Sequence, residues 1–219
     1  MKPDTDSLDT ALAGLGLSGD PELGHELMSA YNEPGRYYHN FEHLAGCLAV
    51  FRRFRHLACR PHEIEIALWF HDAVYDTRRD DNESRSADWA TAYLGERGAE
   101  ETAIARIAGM IRATKHHEAG EADTALMLDV DLSILGMPPD VFTEYDAAIR
   151  REFEWVPEAQ YREGRLRVLS GFLARDRIFR TDAIFENYES QARSNLAQAI
   201  EALSIESRRS PCSTPNKEH

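Results

Sequence analysis

Cysteine is scarce in this 219-residue chain: Cys47, Cys59 and Cys212 stand far apart. Three scattered thiols are too few for a disulfide framework or a zinc knuckle, and they point to a reducing compartment. Positive charge is also short. Against 38 Asp and Glu there are 25 Lys and Arg, a formal net charge of −13. That balance disfavours a nucleic-acid polymer or an anionic membrane as the main partner. A local metal ion or arginine cluster can still override the global sign for a small anionic substrate. No apolar run approaches the ~20 residues that span a bilayer. Residues Met1 to Asp6 have neither a basic start nor an apolar stretch, so no signal peptide is expected and the cytoplasm is the default. Valine is sparse and strand-like alternation is hard to find.

What remains is helical patterning, and the expectation is an all-α, single-domain bundle. Helices are expected over Leu8 to Leu17, then Pro21 to Tyr31 behind an Asp20 cap, then Phe41 to about Cys59 behind an Asn40 cap. Pro61 opens the helix that carries Ile64 to His71. Further helices are expected over Glu83 to Leu94, Glu100 to His117, Asp123 to Leu135, Asp140 to Trp155, Pro157 to Arg175 and Ala183 to about Ile205. One domain of residues 1–206 follows, with a core at about 31–136 and C-terminal helices at 138–206. Residues 207–219, polar and with two prolines, read as a disordered tail.

The most informative stretch is Ile64-Glu65-Ile66-Ala67-Leu68-Trp69-Phe70-His71-Asp72. A carboxylate at the end of so apolar a run costs several kcal/mol unless a partner replaces its water. A metal ion is one such partner, and His with Asp are ordinary ligands. Two further positions can join the pair. His43 shares a helix face with Cys47, Val50 and Phe54; alone it reads as a core histidine with one hydrogen bond. Asp131 has Met127, Leu128, Ile134 and Leu135 at helical spacing, so it lies in an apolar stripe, with an arginine salt bridge as the plainer explanation. Asp129 competes for the same role, and helical geometry forbids both from pointing the same way. Jointly, two histidines and two carboxylates suit Mn²⁺, Fe²⁺, Co²⁺, Ni²⁺ or Zn²⁺ better than the all-oxygen shell of Ca²⁺. An octahedral ion with four protein ligands would keep two open positions for water and a substrate oxygen.

The order His43, His71-Asp72, Asp131 resembles the signature of the HD superfamily of metal-dependent phosphohydrolases. The contexts Arg36-x-Tyr38-His39-Asn40-x-x-His43, Asn82-Glu83-x-x-Ser86-Ala87, Thr114-Lys115-His116-His117 and Asp129-x-Asp131-Leu132-Ser133-Ile134-Leu135-Gly136 look like its predicted metal-dependent subgroup. The resemblance covers roughly Tyr31 to Phe179 and implies an HD-type helical bundle. It implies His43, His71, Asp72 and Asp131 as ligands of one divalent metal ion, with Mg²⁺ added to the candidates above. The full two-metal pattern has two well-separated histidines after the His-Asp pair; here His116 and His117 are adjacent and no other lies between Asp72 and Asp131.

The implied activity is hydrolysis of a phosphoester or phosphoanhydride in a nucleotide or other small phosphorylated metabolite. Asp72, Glu83 and His117 are the candidates for catalysis; Glu83 would orient water or protonate a leaving oxygen. Arg36, His39, Lys115 and His116 are the candidates for substrate binding, with Arg36, Lys115 or His117 meeting the phosphoryl charge. Plainer roles exist for each: a helix-dipole Glu for Glu83, a surface loop for Arg36, and a cationic helix end for Thr114 to His117. The alternatives in function are a non-catalytic nucleotide-binding HD module and an HD-type iron oxygenase. The complete ligand set argues against the first and the absence of separated histidines against the second. Glu144 to Glu154, rich in both signs of charge, reads as a solvated helix face.

Overall fold

The helix that begins at Pro61 has no solvent face. In the computed structural model, which describes residues 6–209, every residue from Glu63 to Phe70 is buried. A helix apolar all round belongs in a core. The order of helices is α1 (Asp6–Gly14), α2 (Pro21–Tyr31), α3 (Phe41–Phe54), α4 (Pro61–Phe70), α5 (Asn82–Glu96), α6 (Glu101–Ala113), α7 (Ala122–Asp131), α8 (Pro139–Glu152), α9 (Glu158–Leu173) and α10 (Asp182–Arg209). Short 3₁₀ turns follow α3 at Arg55–Leu57 and α7 at Leu132–Gly136. Among the described residues there is no strand, and the chain is an all-α bundle.

α1, α3, α5, α6 and α7 all pack on α4. Leu8, Leu12, Leu44, Ile107 and Met127, from those helices, are buried in the same core. Complete burial of such side chains is worth roughly 1.5–3 kcal/mol apiece. Glu63 is tolerated in α4 because Arg106 grips it with two bonds, Nε to Oε2 at 2.7 Å and Nη2 to Oε1 at 2.6 Å.

Local chemistry sets the helix ends. Asp20 accepts from the N–H groups of Glu22 and Leu23, and Asn40 from those of Glu42 and His43, as N-caps do. Gly35, at φ +94°, makes the turn that swings Arg36 back toward α4. Several expected spans change: α1 ends at Gly14, α8 at Glu152, and α7 at Asp131, where a 3₁₀ turn takes over. The α3 helix ends at Phe54, and α6 stops at Ala113, so Thr114 to His117 form a turn closed by His117 at φ +52°. At the other end of the chain α10 runs on through Ser207 to Arg209, which removes those residues from the expected tail; 210–219 lie outside the described residues.

The C-terminal helices do more than cover the core. Asn195 on α10 donates from Nδ2 to the carbonyls of Leu135 at 2.8 Å and Met137 at 2.9 Å. Gly136 lies against the same helix so closely that a Cβ there would meet Tyr188 Cβ at 2.6 Å. α10 thus fixes the turn that follows Asp131.

Candidate metal centre

Four side-chain atoms from three helices meet in one place. His43 is the third residue of α3, His71 caps the C-terminus of α4 with Asp72 just beyond, and Asp131 is the last residue of α7. His43 Nε2 and His71 Nε2 are 3.1 Å apart. Asp72 Oδ2 lies 3.1 Å from His71 Nε2 and 3.5 Å from His43 Nε2. Asp131 Oδ1 lies 3.3 Å from His43 Nε2 and 3.5 Å from His71 Nε2. Two donors about 2.1 Å from one ion lie about 3.0 Å apart at a right angle and about 3.4 Å apart at the tetrahedral angle. The observed separations fit that range, so this buried group could hold a metal ion.

The donor chemistry fits too. His71 Nδ1–H donates to the carbonyl of Leu68 at 2.7 Å, so the neutral ring would present the lone pair of Nε2 to the cluster. The C-termini of α4 and α7 bring partial negative charge to the same place as the two carboxylates. Positive charge answers it. Burial opposes ionisation of Asp72 and Asp131, yet both carboxyls are held well below the usual range, Asp72 by His71 and His43 with help from His39, and Asp131 by His117, then His43 and His71. Burial also opposes charge on the two imidazoles, yet both are held well above the ordinary range, His43 by Cys47, Tyr38 and the carboxylates, and His71 by Asp72, Tyr31 and Asp131.

Asp131 and not Asp129 faces the cluster. The Asp129 carboxylate instead accepts from the N–H of Arg180 at 3.0 Å and of Thr181 at 2.6 Å, anchoring the entry to α10. Sequence reasoning passed over Cys47, whose Sγ joins His43, His71 and Asp131 within 4.8 Å. It lies 3.7 Å from Nδ1 and 3.8 Å from Nε2 of His43, off the axis of either lone pair. Asp72 Oδ2 is nearer His43 Nε2 than Cys47 Sγ is and also lies 3.1 Å from His71 Nε2, which makes it a competing fourth donor.

The remaining candidates divide. His117 reaches the outer oxygen of Asp131, with Nε2 3.3 Å from Oδ2. A left-handed backbone is uncommon for a non-glycine residue, though histidine is among those enriched there, and it aims this ring at the cluster. His39 lies beside the cluster, its ring 5.8 Å from that of His43. Arg36 is elsewhere. Expected to meet phosphate, it is buried with Nη1 on the carbonyl of Asp72 at 2.5 Å and Nη2 on that of Ala73 at 2.9 Å; Nε and Nη2 also hold Glu33. Lys115 bonds the carbonyl of Asp80, and His116 is exposed with its carbonyl held by Arg175. Glu83 is half-buried in the first turn of α5 and, among the described residues, makes no bond to the cluster.

Glu152 is the residue the sequence hid. Its side chain has no exposed surface. It accepts from the N–H groups of Tyr38 and His39 at 2.7 and 2.9 Å, lies 2.7 Å from His39 Nδ1, and accepts from the hydroxyl of Tyr75 at 2.8 Å. Burial pushes its carboxyl up, but the hydrogen bonds from His39 and from the backbone of Tyr38 and His39 leave it below its ordinary value. A residue within the supposed solvated face, Glu152, is therefore a buried hub that orients His39.

No family model matches this chain. No curated protein and no solved structure matches it either. The helical fold and the His/Cys/His/Asp cluster agree with the HD resemblance without independently establishing it. No helix among the described residues is long and apolar enough to cross a membrane.

Proposed function

We propose that the chain is a metal-dependent phosphohydrolase acting on a phosphoester or phosphoanhydride of a small metabolite or nucleotide. The convergence of His43, His71, Asp72 and Asp131 within 3.1–3.5 Å supports this reading. These residues would hold one divalent ion. Such an ion supplies Lewis acidity, polarising a phosphoryl oxygen and lowering the pKa of water. Leu68 keeps His71 in the ligating tautomer, and Arg36 holds the backbone on which Asp72 sits. His39, with Nδ1 tied to Glu152, offers Nε2 to a substrate oxygen or to the proton that the leaving group needs. His117, beside Asp131, is the group proposed to meet negative charge on the phosphoryl group.

The test is metal analysis of purified protein followed by a phosphate-release screen over small phosphorylated compounds. One metal ion per chain and Mn²⁺-dependent release are expected. Metal-free protein that binds a nucleotide without turnover would replace this reading with a sensor. Consumption of substrate that needs O₂ and frees no phosphate would replace it with an oxygenase.

A further inference from the structure

The candidate metal centre opens into a cleft of about 330 Å³, with His43, Cys47 and Asp131 in its wall. The rest of the wall is unlike a phosphate site. Tyr38, Tyr145, Ile134, Met137 and Val141 are among its lining residues, and its exposed lining is mostly apolar. No lysine or arginine lines it, while the exposed carboxylates of Glu42 and Glu144 do. Arginines gather instead around a second, larger hollow with Arg78, Arg79 and Arg85, which shares no lining residue with the first.

From this we propose that the cleft seats the organic part of the substrate, and that this part is an uncharged ring system. The substrate class is then a phosphomonoester of an aromatic or otherwise apolar alcohol, and compounds carrying a second phosphate are disfavoured. The inference rests on the phosphohydrolase reading and narrows its substrate. Hydrolysis joins a water oxygen to phosphorus and breaks the bond from phosphorus to the ester oxygen. The organic group departs as an alcohol that has taken up a proton. A cleft of apolar and aromatic side chains with a few polar groups suits such a group. A second phosphate there would meet Glu42 and Glu144 with no lysine or arginine among the lining residues to offset them, and like charges about 4 Å apart repel by about 1 kcal/mol even in water.

Gly46 bears on the same point. It lies inside α3 and lines the cleft, and a Cβ at this position would meet nothing within 4 Å. Glycine within a helix costs about 1 kcal/mol relative to alanine. A larger side chain at this position would project into the cleft without meeting the helix's neighbours.

Non-hydrolysable phosphonates test the inference by calorimetry on metal-loaded protein, without turnover. Benzylphosphonate is expected to bind at least tenfold more tightly than methylphosphonate. p-Xylylenediphosphonate, the same ring with a second charged group, is expected to bind more weakly than benzylphosphonate. Gly46→Leu should abolish the benzyl advantage while helicity by circular dichroism and metal content stay unchanged. A Glu42→Lys, Glu144→Lys double variant should reverse the order of the two ring compounds. Equal binding of methyl- and benzylphosphonate, or tighter binding of the diphosphonate to the unaltered protein, would overturn this inference and leave the phosphohydrolase reading standing. If no phosphonate binds to the metal-loaded protein, both fall.

Discussion

Arg36 and Asp72 are joined through the backbone: the guanidinium donates from Nη1 to the carbonyl oxygen of Asp72. An arginine in a loop thereby sets the position of a carboxylate 36 residues further on. Its five donors reach adjacent carbonyls, Asp72 and Ala73, which a single ammonium group is poorly shaped to bridge.

Arg36→Ala and Arg36→Lys should each cost roughly 2–3 kcal/mol in urea unfolding. Both should weaken metal binding about tenfold, because a displaced Asp72 misplaces its carboxylate. A lysine variant with full stability and full metal affinity would show that charge alone is needed there.

Asp131→Asn should lower metal affinity at least ~100-fold by calorimetry, whereas Asp129→Asn should leave it within about threefold. The second variant loses charged acceptors for the N–H groups of Arg180 and Thr181, so its cost appears as roughly 1–3 kcal/mol of stability. Equal losses of metal from both would contradict the assignment.

Cys47 and Asp72 can be separated in the same way. Asp72→Ala should abolish stoichiometric metal uptake with helicity retained, and Cys47→Ser should keep affinity within about threefold. An intense near-ultraviolet thiolate-to-metal band in Co²⁺-loaded protein, lost in Cys47→Ser, would make the cysteine a ligand.

The Glu152 carboxyl titrates below its ordinary value of 4.5 in the folded chain. A depressed folded pKa contributes stability that is present above the unfolded value and lost as pH falls through the folded one. Glu152→Gln should therefore cost roughly 3 kcal/mol at pH 7. Its deficit relative to the unaltered protein should shrink as pH is lowered below 4.5. A deficit constant from pH 7 to pH 3 would mean that packing, not ionisation, is what the variant loses.

Much of this was legible in the chain, for reasons of distance along it. The apolar run of α4 and the caps at Asp20 and Asn40 are local, so composition and spacing reveal them. The choice between Asp129 and Asp131 is not local. Both lie among apolar neighbours, and the partners of Asp129 sit more than 50 residues away, at Arg180 and Thr181. Glu152 was obscured by company: its neighbours Arg150 and Arg151 are charged, and its burial comes from a loop 113 residues upstream. The end of α6 was misjudged because no glycine or proline lies between Gly109 and Gly120, while the turn after Ala113 is closed by a left-handed histidine.

The bonds from Asn195 to the carbonyls of Leu135 and Met137 have a consequence for anyone wishing to shorten this protein. All four donor residues lie before Gly136, so a fragment ending there looks self-sufficient on paper. Yet Gly136 is moulded to Tyr188 and the turn after Asp131 borrows its fastening from α10. Cut at that point, the amino-terminal piece would keep every donor and lose the anchorage that aims the last of them.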